Sequence, residues 1–140
     1  MMTLRAAFLC LAIALPLSTH AAAPVPACYA DDFPSFLVAY ADQVEVQRAH
    51  TRVPLESSAI VDADPEPKIV VKKLARQQIR FPVFLLKAQR QRTPLTMEII
   101  ALKGNSATVR LEKPDTDYVI LYHFRKDPCW QLVRMENSSL

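Results

Sequence analysis

The side chains of this sequence that could do chemistry do not fall into a known catalytic spacing. The chain has a single glycine, Gly104, so it contains no glycine-rich loop of the kind whose amides cradle phosphates. Neither G-x-S-x-G, which exposes a serine nucleophile, nor H-E-x-x-H, which holds a catalytic zinc ion, occurs. The sequence therefore lacks the signatures of phosphate-loop enzymes, α/β-hydrolases and zinc proteases.

Acid–base chemistry needs only a carboxylate placed beside a hydroxyl or an imidazole, and the sequence offers such groups. They are Tyr40, Asp42, Tyr118, Tyr122 and His123. A small isomerase or lyase that uses a carboxylate and a tyrosine in a pocket is therefore an alternative function. The patterns favour structural roles, because Tyr40 lies on an apolar helix stripe and Tyr118 and Tyr122 share one strand face. We predict no catalytic residue, and we expect His123 and His50 to be solvated or to contact a partner.

The cysteines predict a covalent link between the two ends of the chain. If an N-terminal leader containing Cys10 is removed, Cys28 and Cys129 remain as a pair. A disulfide closing a loop of about 100 residues stabilises by up to ~4.7 kcal/mol in the chain-entropy model. Lipidation of Cys28 is the alternative, and Pro26 disfavours it. We predict no metal site, because the thiols are far apart and neither His50 nor His123 provides a close ligand pair, and we predict no cofactor.

The first 23 residues have the composition of a secretory signal peptide. Arg5 precedes an uncharged apolar run over residues 6–17, and small residues follow it. Cleavage after Ala21 fits better than cleavage after Ala23, which would leave Pro24 beside the cut. The run is shorter than the roughly 20 residues of a transmembrane helix, so we predict no anchor. We expect a periplasmic or secreted protein with one domain over residues 24–140.

The charge distribution is the most unusual feature of the sequence, although the formal net charge is only +3. Residues 68–92 carry eight basic side chains and no acid, and Asp62, Asp64 and Glu66 come just before them. Three interpretations stay open: a solvated face, a site for an acidic protein surface, or a site for an anionic envelope polymer or lipid headgroup. Export disfavours nucleic acid as a partner. We call these side chains the basic segment: Lys68, Lys72, Lys73, Arg76, Arg80, Lys87, Arg90 and Arg92.

The first part of the chain predicts a helix and a hairpin. Asp32 can cap a helix that has Pro34 in its first turn, and apolar residues recur at helical spacing from Phe33 to Val44. Pro54 predicts that residues 49–53 form an edge strand or an extended arm. Residues 58–61 and 68–73 favour a hairpin, and residues 74–80 favour a helix. Residues 83–92 fit either a loop or a second helix.

The last part of the chain predicts four antiparallel strands, over residues 96–102, 106–112, 117–125 and 129–135. Turn residues separate them at 103–105, 113–116 and 126–128. The third strand is apolar on both faces over much of its length, as expected at the centre of a curved sheet. The predicted fold class is α+β, with the N-terminal helix packed on a curved antiparallel sheet.

Several of these residues give the chain a resemblance to a known fold family. Phe33 and Phe36 form F-x-x-F on the first helix, Gln47 follows, then Pro54-Leu55, and Trp130 with Leu132 form W-x-L on the last strand. In this pattern the chain resembles the nuclear-transport-factor-2-like superfamily, and more narrowly its exported bacterial members. The resemblance implies a cystatin-like cone whose sheet wraps around a pocket, a scaffold shared by enzymes, binding modules and toxin-neutralising proteins.

Together these patterns predict an exported, non-catalytic binding protein of the bacterial envelope. We expect it to engage an acidic protein partner, or else an anionic envelope component, through the basic segment or the mouth of the pocket. An immunity-type inhibitor that neutralises a toxin is one concrete form, by analogy of fold and location. The sequence does not indicate an oligomeric state.

Overall fold

Residues 28–139 are described in a computed structural model, and the predicted signal peptide lies outside them. Two helices come first, and a hairpin, a connecting arm and four further strands follow. The strands form one sheet in the order β2-β1-β6-β5-β4-β3. The elements are α1 (Phe33–Asp42), α2 (Val44–Ala49), β1 (Thr51–Val61), β2 (Lys68–Leu74), α3 (Lys87–Arg92), β3 (Thr96–Lys103), β4 (Ser106–Glu112), β5 (Val119–Lys126) and β6 (Trp130–Asn137).

Helix α1 begins where the sequence predicts. The Asp32 carboxylate accepts a hydrogen bond from the Ser35 amide at 2.8 Å, and this bond holds the pKa of Asp32 below its usual value. Pro34 lies in the first turn, where its missing amide costs no helical hydrogen bond. The predicted apolar stripe of α1 is buried.

The stripe of α1 packs on one face of the sheet, which we call the inner face. The ring of Phe33 lies 4.8 Å from that of Trp130, and the ring of Tyr40 lies 5.1 Å from that of Phe124. Edge-to-face and tilted pairs at such distances add to the free energy gained by burial. Aromatic side chains therefore fill the space between α1 and the sheet. The opposite side of the sheet is the outer face.

The predicted C-terminal strands are confirmed. β3, β4, β5 and β6 pair in sequence as antiparallel neighbours, and β5 lies in the interior of the sheet. The predicted hairpin is also confirmed, since β1 and β2 pair antiparallel from Leu55 with Leu74 to Val61 with Lys68. The α+β class holds, with helices followed by a curved six-stranded sheet.

The edge strand predicted for residues 49–53 holds only at the start of β1, because the pairing of β1 with β2 begins at Leu55. β1 spans Thr51–Val61 and lies between β2 and β6. Proline fits there because the pairing of β1 with β6 shifts register between Thr51 and Glu56, and an irregularity needs no ladder hydrogen bond from Pro54. β1 and β6 pair in parallel, so the sheet is mixed, whereas the sequence predicted only antiparallel pairs.

The segment from residue 75 to residue 95, which we call the arm, connects β2 to β3 at opposite edges of the sheet. The helix predicted for residues 74–80 is wrong apart from one 3-10 turn, Arg76–Gln78. The sequence leaves residues 83–92 open between a loop and a second helix, and the structure has the short helix α3 at the end of this segment. Between these turns the ring of Phe84 is fully buried, 4.5 Å from that of Tyr122. The arm therefore crosses the inner face and closes it alongside α1.

The predicted disulfide is confirmed. Cys28 and Cys129 are bonded across 101 residues of sequence, with their Cα atoms 5.1 Å apart. The bond ties the residues before α1 to the start of β6, and it leaves the Cys28 thiol bonded to sulfur, which rules out lipidation there. Among residues 28–139, no helix is long and apolar enough to cross a membrane.

Candidate binding surface

The candidate catalytic groups do not meet in the described part of the structure. The Tyr40 hydroxyl lies 2.7 Å from the Thr51 hydroxyl, and the Tyr122 hydroxyl donates to the Val83 carbonyl at 3.1 Å. Burial raises the pKa of both tyrosines far above the usual value. The carboxylate of Asp42 instead lies 3.3 Å from the guanidinium of Arg90. These tyrosines have the structural role that the sequence favoured, with bonded hydroxyls inside the core.

The two histidines are partly buried and lie close to polar groups of the protein itself. His50 Nδ1 lies 3.0 Å from the Trp130 carbonyl oxygen. His123 has Nδ1 at 3.2 Å from the Thr108 hydroxyl and Nε2 at 2.9 Å from a carboxylate oxygen of Glu136. Tyr118 precedes β5 and is partly buried, which raises its pKa. No group of acids, histidines and cysteines among residues 28–139 is arranged to hold a metal ion.

Most of the basic segment faces water. Seven of its eight side chains belong to exposed residues, and none of the seven forms an ion pair with a described residue. Their charges are therefore not neutralised by neighbouring acids within the described structure. The seven are Lys68, Lys72, Lys73, Arg76, Arg80, Lys87 and Arg92.

Arg90 is a correction to the predicted basic segment. Its side chain is only 12% exposed, because one guanidinium nitrogen donates to the carbonyls of Ala41 and Leu85 and the guanidinium lies over the ring of Phe84. A planar guanidinium suits such a site, since it combines several fixed donors with an apolar face. Arg90 fastens α3 to the end of α1 and is not available to a partner.

The seven exposed cations do not lie on one face of the sheet. Along β2 successive side chains point to opposite faces of the sheet. Lys73 pairs in register with Glu56 on the outer face, whereas Lys72 and Lys68 lie on the inner side. The remaining four follow along the arm. The positive field thus wraps around the β2 edge.

The outer face carries a row of polar side chains that the sequence analysis missed. The register aligns Lys73 of β2, Glu56 of β1, Arg134 of β6, His123 of β5 and Thr108 of β4. Arg134 Nε lies 3.3 Å from Glu56, and its terminal nitrogen pairs with Glu136. The alternation of side chains along each strand indicates which residues share a face of the sheet. Only the register and the parallel pairing of β1 with β6 show that these residues are neighbours.

A shallow groove follows this row. One depression of about 340 Å³ lies between Lys73 and Arg125, and a second of about 260 Å³ continues over Thr108. Both are lined by Arg125, Val133 and Arg134, so they form one feature, which we call the outer groove. Val133 is the extra residue where the pairing of β5 with β6 shifts register. Arg125 is exposed and has no ion pair with a described residue.

The fold is similar to that of an NTF2-like protein from Bacteroides fragilis, with a TM-score of 0.59 at 19% sequence identity. The similarity covers 84% of this chain and 51% of that protein, so this chain spans about half of its length. A scan against protein-family models finds no match, and a search of curated proteins finds none either. A similarity at this level of sequence identity indicates a shared fold and does not indicate a shared function.

Proposed function

We propose that this chain, which has the NTF2-like fold, is an exported, non-catalytic binding protein that holds an acidic surface of a protein partner against its basic segment. The single observation that carries the proposal is the set of seven exposed cations that form no ion pair with a described residue. Opposite charges across an interface steer the partner to the site and select it over other proteins.

The packing of the inner face among residues 28–139 supports binding at the surface over chemistry in a pocket. Phe33, Phe36, Phe84 and Phe124 fill the space between the inner face and the elements that cover it. No observation favours the pocket-enzyme alternative, an isomerase or lyase, because neither the Tyr40 nor the Tyr122 hydroxyl has a carboxylate among its hydrogen-bond partners in residues 28–139.

Export to the bacterial envelope is part of the proposal. The leader-like composition of residues 1–23 supports it, and so does the disulfide between Cys28 and Cys129, since such bonds persist mainly in oxidising compartments. An immunity-type inhibitor that neutralises an incoming toxin is one concrete form. In that form the toxin would present the acidic surface.

Charge reversal within the basic segment tests the proposal. R76E/R80E changes two exposed arm residues that have no ion pair with a described residue, and K103E/K113E changes two exposed lysines outside the segment by the same total charge. Each disulfide-bonded protein is immobilised and used to capture partners from an envelope extract. We expect the wild type and K103E/K113E to capture the same partner and R76E/R80E to lose it.

Two results would contradict the proposal. One is equal capture by R76E/R80E and the wild type. The other is equal loss in both double variants, which would show a dependence on total charge and not on the basic segment. Equal free energies of unfolding for the three proteins are the control for folding.

A further inference from the structure

We infer that the outer groove is a second binding site, for an extended acidic segment of a protein. The seven exposed cations of the basic segment belong to one stretch of sequence, whereas residues of five strands line the groove. Of the basic segment only Lys73 lines it. The inference therefore deepens the proposed function, because it names where and how an acidic partner is held, and it can fail separately.

The charges of the groove indicate the ligand. Lys73 and Arg125 both line the larger depression, and neither has an ion pair with a described residue. Arg134 lies between them and uses two of its nitrogens on Glu56 and Glu136. A guanidinium has five N–H donors, so donors of Arg134 remain for a ligand. The fourth cation of this depression, Arg52, lies 3.9 Å from Asp127. Lys73, Arg134 and Arg125 follow one another on β2, β6 and β5, and such a series fits a ligand with several carboxylates.

The shape of the groove favours a peptide over a small molecule. Sites for small molecules are usually enclosed and bury most of the ligand, but here the floor is the outer surface of a sheet. Three strand spacings separate β2 from β5, or about 14 Å at roughly 4.8 Å each. An extended peptide covers that distance in about four residues, and its alternate side chains point the same way. Acids on alternate residues of such a peptide would therefore face the sheet between β2 and β5, where the three cations lie.

The groove is also held in place without a ligand. Arg134 is fixed by Glu56 and Glu136, and His123 lies between Glu136 and Thr108. Because these contacts join β1, β6, β5 and β4, the central cation is already oriented. A site ordered in advance loses less side-chain entropy when it binds.

The test uses a fluorescently labelled peptide of eight alternating Glu and Thr residues and a matched peptide of alternating Gln and Thr. Binding is followed by fluorescence anisotropy with the disulfide-bonded protein. We expect the Glu peptide to bind and R125E to weaken it by about tenfold or more, since a cation at a charge-matched contact becomes a like charge. K103E, which reverses an exposed lysine on β3, should change the affinity less than twofold.

Several outcomes would overturn the inference. They are equal binding of the Gln peptide, equal binding by R125E and the wild type, or a concentration-dependent dimer that protects the outer face without peptide. R76E/R80E separates this site from the proposed function, because Arg76 and Arg80 do not line the groove. If that variant loses its envelope partner while R125E binds the peptide normally, the groove assignment is wrong and the basic segment stands.

Discussion

At the scale of single residues, Gln47 shows how one buried polar side chain organises the inner face. It is fully buried, its amide nitrogen donates to the Phe84 carbonyl at 2.8 Å, and its amide oxygen accepts from the Phe84 N–H at 3.1 Å. Both backbone groups of Phe84 depend on it, because an unpaired buried donor or acceptor is costly. Gln47 thereby fixes the arm to α2.

We predict that Q47L lowers the free energy of unfolding by about 2 to 4 kcal/mol, because it leaves two buried backbone groups without partners. Q43L is the matched control. Gln43 is exposed and bonds only the Tyr29 hydroxyl through its side chain, so its loss should cost less than about 0.5 kcal/mol. Urea unfolding measures both changes, and equal stability of Q47L and the wild type would contradict the role assigned to Gln47.

The buried tyrosines predict a loss of stability in alkali. Burial raises the pKa of Tyr40 and Tyr122 in the folded state above the ordinary value of 10.0. Their contribution is complete below pH 10, and it declines above that pH because only the unfolded chain ionises them. The expected slope is about 1.4 kcal/mol per pH unit for each tyrosine. Urea unfolding at a series of pH values measures it, and Y40F/Y122F should remove this component; an unchanged slope in that variant would disagree.

At the scale of elements, the arm and α3 depend on a cation that the sequence assigned to binding. R90A should lower the free energy of unfolding by about 2 to 4 kcal/mol, since the carbonyls of Ala41 and Leu85 lose their donor. R92A removes the same charge from an exposed position on the same helix and should cost less than about 0.5 kcal/mol. Thermal or urea unfolding distinguishes them. Similar values for the two variants would show that Arg90 is an ordinary surface residue.

The elements also show what the sequence could predict. The cap at Asp32, the stripe of α1 and the four last strands follow from local spacing, and the structure agrees. The interior place of β1 could not be predicted from Pro54, because proline is excluded only where a ladder hydrogen bond is needed, and the register shift removes that need. The arm has weak local preferences, and its path depends on distant contacts of Phe84 and Gln47.

The candidate site was predictable to a smaller extent. The basic segment could be recognised from composition alone, but the buried position of Arg90 depends on residues 48 and 49 positions earlier in the chain. The outer groove depends on the register among five strands, and Arg125 and Arg134 carried no signal of their own in the sequence. A charge pattern in the sequence can predict that a surface is basic. It is a poorer guide to which of the basic side chains are free to bind a partner.

At the scale of the whole molecule, the inner face of the sheet forms the core and the outer face carries the groove. Aromatic side chains close the inner face, and the disulfide joins the residues before α1 to β6. The free positive charge lies around the β2 edge, along the arm and in the outer groove. Residues 28–139 thus form a packed aromatic core with exposed cations around it. This arrangement suits the binding of an acidic protein surface.

The dependence of partner binding on salt tests this account most directly. The affinity of the captured envelope partner is measured at about 0.15 M and about 1 M ionic strength, where the screening length falls from about 8 Å to about 3 Å. We predict a marked loss of affinity at high salt for the wild type and an equivalent loss for R76E/R80E at low salt. An affinity that is independent of salt and unchanged in R76E/R80E would contradict the account.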